Sequence, residues 1–351
     1  MENNTDKQSG VLTYYWMPVL LTLIGLVASV FVGGFAGLLS TATLAPLEVS
    51  MSFDNAVLNA KVLKPWSMRW RKHFMDFGLP VAVIGMRLLF PLVIVAVIGH
   101  LNIVEALKLA IQQPKEYAHV LTSAHDLIAA FGGAFLFMVF FEFMLDPEKE
   151  SHWLGLVEAP LSMAGKVEKL DVFLTLVLVA ITSMFVEPGR QVAFLMAGGA
   201  GVLSFVAAHG LGSLLQGEDE NASGAASRII KEGIMGLLYL EVLDASCSFD
   251  GVIGALAIST NIFIIAIGLG IGAAYVRGMT LQLVEKDTLG EFKYLEHGAF
   301  WAIGALAACM FIGVHLEVPQ AVTGLIGVAS IVAALVCSLV AKKNETPAFA
   351  N

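Results

Sequence analysis

The chain has 351 residues, of which 57% are hydrophobic and only 14% charged, against roughly 25% charged in an average soluble protein. Mean hydropathy is +0.79, more apolar surface than a soluble globule of this length could bury, so composition points to one integral membrane domain. A net charge of −9 without any long Lys/Arg run excludes a nucleic-acid partner.

The opening MENNTDKQSG is polar and lacks the cationic region, short apolar core and cleavage site of a signal peptide. Residues 1–13 therefore read as a cytoplasmic tail and the first apolar run as a retained anchor. A helix crossing a hydrocarbon core about 30 Å thick needs roughly 20 apolar residues. That rule predicts ten spans: 14–36, 37–60, 79–101, 120–145, 170–187, 191–215, 230–257, 261–283, 295–316 and 319–341. The first pair is divided only by weak punctuation near Gly37, and an undivided reading leaves nine. Residues 14–341 form the single membrane domain, with repeat halves of about 14–187 and 191–341, and 342–351 form a cytoplasmic tail.

Cytoplasmic loops carry the Lys/Arg excess. With the N-terminus inside, 16 of the 20 basic residues lie in the inner segments or, for Lys231 and Arg277, in the inner part of the adjoining span; the outer segments hold Lys108, Lys115 and Arg190, and Arg87 falls deep within a span. Both termini are thus predicted to face the cytoplasm of a plasma (inner) membrane, with 102–119 outside. A reporter fused after Asn351 should be active only on the cytoplasmic side; activity confined to the outer side would refute the topology. Segment 147–169 places Trp153, Leu154, Leu156 and Val157 among charges and reads either as a short interfacial helix or as a loop. Residues 217–227 (GEDENASGAAS) read as a flexible loop. Cys247, Cys309 and Cys337 lie in apolar runs without CxxC spacing and read as small buried hydrophobes.

A shift of 196 residues aligns LEVSMSFDNAVL from Leu47 with LDASCSFDGVIG from Leu243, with five of twelve positions identical. The shared core is acid-x-Ser-x-Ser-Phe-Asp, pairing Glu48 and Asp54 with Asp244 and Asp250. The copies fall in spans two and seven, which cross in opposite directions, so the chain reads as five plus five spans with inverted topology. Inverted repeats are a recurring construction of secondary transporters, whose sites lie near mid-membrane at the repeat interface. A weaker echo pairs His125-x6-Gly132 with His297-x6-Gly304.

Glu48 lies about 11 residues into its span, roughly 16 Å deep at 1.5 Å per residue. Four acids at such depth would cost very roughly 10–14 kcal/mol on insertion scales, so a compensating cation, a proton or a basic partner such as Arg87 is expected. Positions six apart on a straight helix point to different faces. A break at SFDN and SFDG, where Asn55 and Gly251 follow the second acid, would turn both acids and freed carbonyls inward. Carboxylate and carbonyl oxygens suit hard cations such as Mg²⁺, Ca²⁺ or Mn²⁺. Ser52, Asn55, Ser248, Glu241, His125, Asp126, Glu142, Glu296, His297 and Arg87 are secondary candidates for the polar pathway. The glycine clusters permit close helix packing and have no phosphate-loop context.

Glu48-x5-Asp54-Asn55 and Asp244-x5-Asp250-Gly251, followed by Thr260-Asn261-Ile262-Phe263, resemble the two signature helices of the TerC family of integral membrane proteins. That family is named for tellurium resistance and associated with manganese export. The stretch from EVLDASCSFDG through LVEKDTLGEFKYLEHGAFWAIGA resembles its domain-of-unknown-function branch. The resemblance implies a cation-exporter-like fold of inverted three-helix units with acids at the centre. Gly251 stands where the better-known relatives usually have Ser, which removes one side-chain oxygen.

The leading expectation is a divalent-cation transporter, most simply a Mn²⁺ exporter, with Glu48, Asp54, Asp244 and Asp250 around the ion. No catalytic cofactor is expected, and the cation is cargo. A non-transporting membrane scaffold in tellurite or metal stress response is the alternative. An intramembrane aspartyl enzyme is disfavoured because the Tyr-Asp and Gly-x-Gly-Asp patterns are absent. Expected partners are membrane lipid and a metal ion; homo-oligomers and cytoplasmic stress-response partners are compatible with the sequence.

Overall fold

The structure, a computed structural model, describes residues 12–149, 151–214, 232–316 and 318–345. The predicted loop 217–227 and most of both predicted tails lie outside the described residues. All described secondary structure is helical, and seven helices are long and apolar enough to cross a membrane. In chain order the helical elements are α1 (Leu12–Met51), α2 (Phe53–Leu63), α3 (Met68–Asp76), α4 (Gly78–Pro80), a π-helical segment (Val81–Leu89) and α5 (Phe90–Ile98). There follow α6 (Ile103–Gln112), α7 (Pro114–Ser123), α8 (His125–Met144), α9 (Gly155–Ala164), α10 (Leu170–Ser183) and α11 (Gln191–Leu214). The second half holds α12 (Ile234–Leu256), α13 (Ile262–Glu285), α14 (Thr288–Glu291), α15 (Leu295–Gly313) and α16 (Gln320–Glu345).

α1 is a helical hairpin. Gly34 has φ 62° and ψ −151°, a backbone conformation open to glycine but strained for other residues. A Cβ built on Gly37 would lie 2.6 Å from the Ser29 carbonyl oxygen, whereas residues eight apart in a straight helix are about 12 Å apart. Gly25 abuts Ile271 and Gly33 abuts Ile264, so the first arm runs antiparallel to α13. Gly268 faces Leu44 and Gly272 faces Glu48, so the second arm runs parallel to α13. The division between the first two predicted spans therefore exists, three residues before Gly37.

Elsewhere the predicted spans and the helices agree to within a few residues, with three differences. The third span starts earlier, because α3 to α5 are stacked end to end from Met68 to Ile98. Span five shortens to the 14 residues of α10. α16 continues to Glu345, so the start of the predicted cytoplasmic tail is helical. Segment 102–119 forms two short helices, the first closed by a capping box of Asn102 and Glu105.

The arrangement is layered by hydrophobicity. α8, α13 and α15 are mostly buried, while the apolar windows of α1, α11 and α16 are mostly exposed. Leu23, Val27 and Phe31 form one outward row, and Val332, Val336 and Val340 another. Such contiguous apolar surface on membrane-length helices fits a lipid-facing exterior. Close approach at the centre relies on small residues: Gly133 faces Phe311, Gly304 faces Phe140, and Gly298 faces Ala334. Cys337 is exposed on the outward face of α16, and Cys247 and Cys309 are half-buried. The expected burial of all three does not hold, because α16 is a peripheral helix.

Candidate functional site

The first motif helix comprises the second arm of α1 and α2, joined at Ser52 (φ −105°, ψ 18°). The joint is a kink, not an unwound loop: the Ser52 N–H still donates to the Glu48 carbonyl (3.0 Å), and the Ala56 N–H donates to the Ser52 carbonyl (3.1 Å). The second motif lies in α12, which runs unbroken from Ile234 to Leu256. The expected pair of discontinuous helices is thus corrected to a single kink at Ser52. Gly251 imposes no break because its neighbours continue the helical ladder, and no carbonyls are freed there.

Opposite these helices the chain winds as a π-helix from Val81 to Leu89, bracketed by Pro80 and Pro91. Wide turns of this kind are often found at functional sites. The segment carries Arg87, which is 1% exposed. Its Nη2 donates to Glu48 Oε1 (2.6 Å) and Ser248 Oγ (3.2 Å). Its Nη1 donates to Asp244 Oδ2 (3.3 Å) and the Ala82 carbonyl (2.8 Å). The equivalent acids of the two repeats therefore share one guanidinium, and their equivalent serines line it: Ser52 Oγ donates to Glu48 Oε1 at 3.2 Å. Asn55 Nδ2 donates to Asp244 Oδ1 at 2.6 Å, tying α2 to α12.

Asp54 is buried in the first turn of α2. It makes no ion pair among the described residues. Glu48, Ser52 and Asp54 line a cavity of about 20 Å³ together with Cys247 and Gly251 of α12 and residues of α15 and α16. That volume holds about one water-sized occupant. Since Met51, Ser52 and Asp54 face residues 247 and 251 while Asn55 faces Asp244, the two motif helices pack antiparallel, as inverted repeats require.

The site is narrower than the sequence implied. Glu48, Asp54, Asp244, Ser52, Asn55, Ser248 and Arg87 gather there. Asp250 belongs to α12, but its side chain lies outside the described residues. Among the described residues no three His, Cys, Asp or Glu side chains converge to hold a metal, because the Arg87 guanidinium separates Glu48 from Asp244. His125 and Asp126 sit elsewhere, where Asp126 pairs with Arg190 at 3.0 Å. Glu296 pairs with Lys61, and His297 joins a separate cluster. Glu142 lies on α8 near enough to Tyr239 to act on it electrostatically.

Two features escape sequence reading. Arg277, grouped above with the cytoplasmic basic residues, is buried within α13 and donates to Glu241 Oε1 (2.8 Å) and the Phe74 carbonyl (3.1 Å). Glu158 on α9 is fully buried. Its Oε2 lies 2.8 Å from His297 Nδ1 and 3.3 Å from Lys149 Nζ, and its Oε1 accepts from Trp301 Nε1 at 2.9 Å. Segment 147–169 is therefore docked onto α15 through Glu158, while Leu156 points outward, 96% exposed. Burial pushes the Glu158 carboxyl up, but the His297 and Trp301 hydrogen bonds, with the charges of His297 and Lys149, outweigh it and hold the group below the usual carboxylate range.

A helical bundle clad in apolar surface, with a buried charge centre between antiparallel repeat helices, defines a polytopic membrane protein with a polar site inside the bilayer. Within that class, the chain belongs to the family described as "Protein of unknown function (DUF475)", whose model matches residues 53–345. No curated protein and no solved structure matches the chain.

Proposed function

We propose that this protein is a secondary transporter of a divalent metal cation, with Mn²⁺ the favoured cargo and Mg²⁺ or Ca²⁺ compatible with the same oxygen ligands. The observation that carries the reading is the meeting of both repeats' leading acids at Arg87, beside an ion-sized cavity lined by Asp54. Three carboxylates (Glu48, Asp54, Asp244) against one guanidinium leave a formal charge of −2 when all are ionised. That charge complements a dication and repels an oxyanion. The cation enters beside Asp54 and Ser52 and competes with Arg87 for Glu48. Rocking of one repeat against the other about the antiparallel motif helices then exposes the site to alternate sides. The resemblance to the TerC family favours export.

The test is Mn²⁺ flux in proteoliposomes. Asp54→Asn nearly preserves shape and removes the one acid of the cavity that has no ion pair, so flux should fall at least tenfold while the protein stays folded. Equal flux in the folded variant and the parent would defeat the proposal. The pairing of Glu48 and Asp244 with Arg87 also suits a second reading, a non-transporting scaffold in tellurite or metal stress response. On that reading Asp54→Asn is silent and disruption of segment 61–78 or 147–169 abolishes function.

A further inference from the structure

Four of the described buried side-chain oxygens on the motif helices and hairpin have no hydrogen-bond partner: Thr41 Oγ1, Asn55 Oδ1, Asn59 Oδ1 and Glu241 Oε2. Buried acceptors are ordinarily satisfied, and each exception calls for an explanation. Asn55 cannot be turned over to remove its orphan, because the Asp244 carboxylate only accepts and so fixes Nδ2 as its donor. Three of the four lie on α2 and α12, and the antiparallel register places them in order. Asn55 meets Asp244; one turn further along α2, Asn59 comes level with residues one turn earlier in α12, where Glu241 stands. Both are buried, Asn59 at 2% exposure.

The surroundings of Glu241 are built rather than accidental. Oε1 is held by Arg277, whose guanidinium is itself fixed by the Phe74 carbonyl and lies 4.3 Å over the Phe74 ring. A Cβ on Gly78 would strike the Arg277 guanidinium and come within 2.8 Å of Glu241 Oε1, so glycine at this position lets the Glu241–Arg277 pair pack directly against the chain. Oε2 is left open. From this level α2 continues to Leu63 and the segment 61–78, predicted to be cytoplasmic.

We infer that Asn55, Asn59 and Glu241 form an inner way-station for a partly hydrated hard cation, between the central cavity and the cytoplasmic face. The assignment rests on the transport reading above and extends it by naming the route of entry. Its chemistry differs from the centre. Glu241 is neutralised by Arg277, so the station offers neutral or charge-balanced oxygens, which pass a cation on without trapping it. The centre, with its excess of carboxylates, retains it.

The experiment compares Mn²⁺ flux in proteoliposomes, and thermal unfolding in detergent, for the parent, Asn59→Leu, Asn59→Gln and Asp54→Asn. Because Asn59 Oδ1 has no hydrogen-bond partner, removing it leaves no buried donor unsatisfied. Asn59→Leu should therefore keep or raise the unfolding midpoint while flux falls at least tenfold. Asn59→Gln keeps a neutral acceptor oxygen and should stay within threefold of the parent. Flux in Asn59→Leu within twofold of a parent that Asp54→Asn silences would overturn the station and leave the central site standing. A lowered midpoint in Asn59→Leu, with flux lost in proportion to folded protein, would also overturn it, since Asn59 would then be structural. Equal flux in the parent and Asp54→Asn is a different failure, that of the transport reading itself.

Discussion

Replacement of Arg87 by Met should destabilise the protein by about 3–5 kcal/mol, the usual cost of removing one member of a buried charge cluster. The guanidinium is 1% exposed and is the partner of both Glu48 and Asp244. Its loss leaves two carboxylates at membrane depth, with Ser52 and Asn55 the remaining donors to them among the described residues. Chemical or thermal unfolding in detergent measures the loss. The triple variant Arg87→Met, Glu48→Gln, Asp244→Asn removes all three charges together and should recover most of the stability, because buried charge clusters exchanged as a unit for neutral groups are often tolerated. A transporter predicts that the rescued triple variant is stable and inactive. A parent-like midpoint for Arg87→Met alone would show that the acids find other compensation, and the central account of the site would fall.

Much of the fold was legible in residue order because the bilayer imposes one dominant rule, about 20 apolar residues per crossing. Local chemistry did the rest at Gly34, where only a residue without a Cβ turns one apolar run into two antiparallel arms. The acids were legible because a charge in an apolar run stands out, and the 196-residue repeat showed which acids correspond. Arg87 was legible as one candidate partner, but not which acids it joins. Arg87 reaches Asp244 across 157 positions, a contact fixed by helix packing that no local pattern encodes. The π-helix at Val81–Leu89 is equally silent in sequence, although Pro80 and Pro91 mark its edges. Asn59 drew no attention because an amide in a helix is unremarkable until its oxygen is found buried and unpaired. Glu158 was hidden for the opposite reason: among the charges of 147–169 it looks solvated, and only the fold carries it onto His297 and Trp301.

That last contact carries the second large effect. Glu158→Gln should destabilise the docked segment by about 3 kcal/mol, because it leaves Lys149 buried at 6% side-chain exposure without its counter-charge. Burial holds the Lys149 ammonium below its usual range, with Glu158 opposing that shift; once the carboxylate is gone the opposition ends and the segment loses its anchor. Lys149, Lys166 and Lys169 flank the anchor, so trypsin should cut there several-fold faster in the variant while the membrane helices remain intact. Glu158 also sets a pH signature. Its folded carboxyl titrates below its ordinary value of 4.5, so its ionised form stabilises the protein fully above that value. The contribution is lost as pH falls below 4.5 and through the depressed folded value. The stability gap between parent and Glu158→Gln should thus shrink as the solution is acidified below about pH 4.5, with His297, Lys149 and Asp146 the other charged or ionisable groups nearby. A gap that widens on acidification, or equal trypsin rates at neutral pH, would mean that Glu158 does not hold this segment to α15.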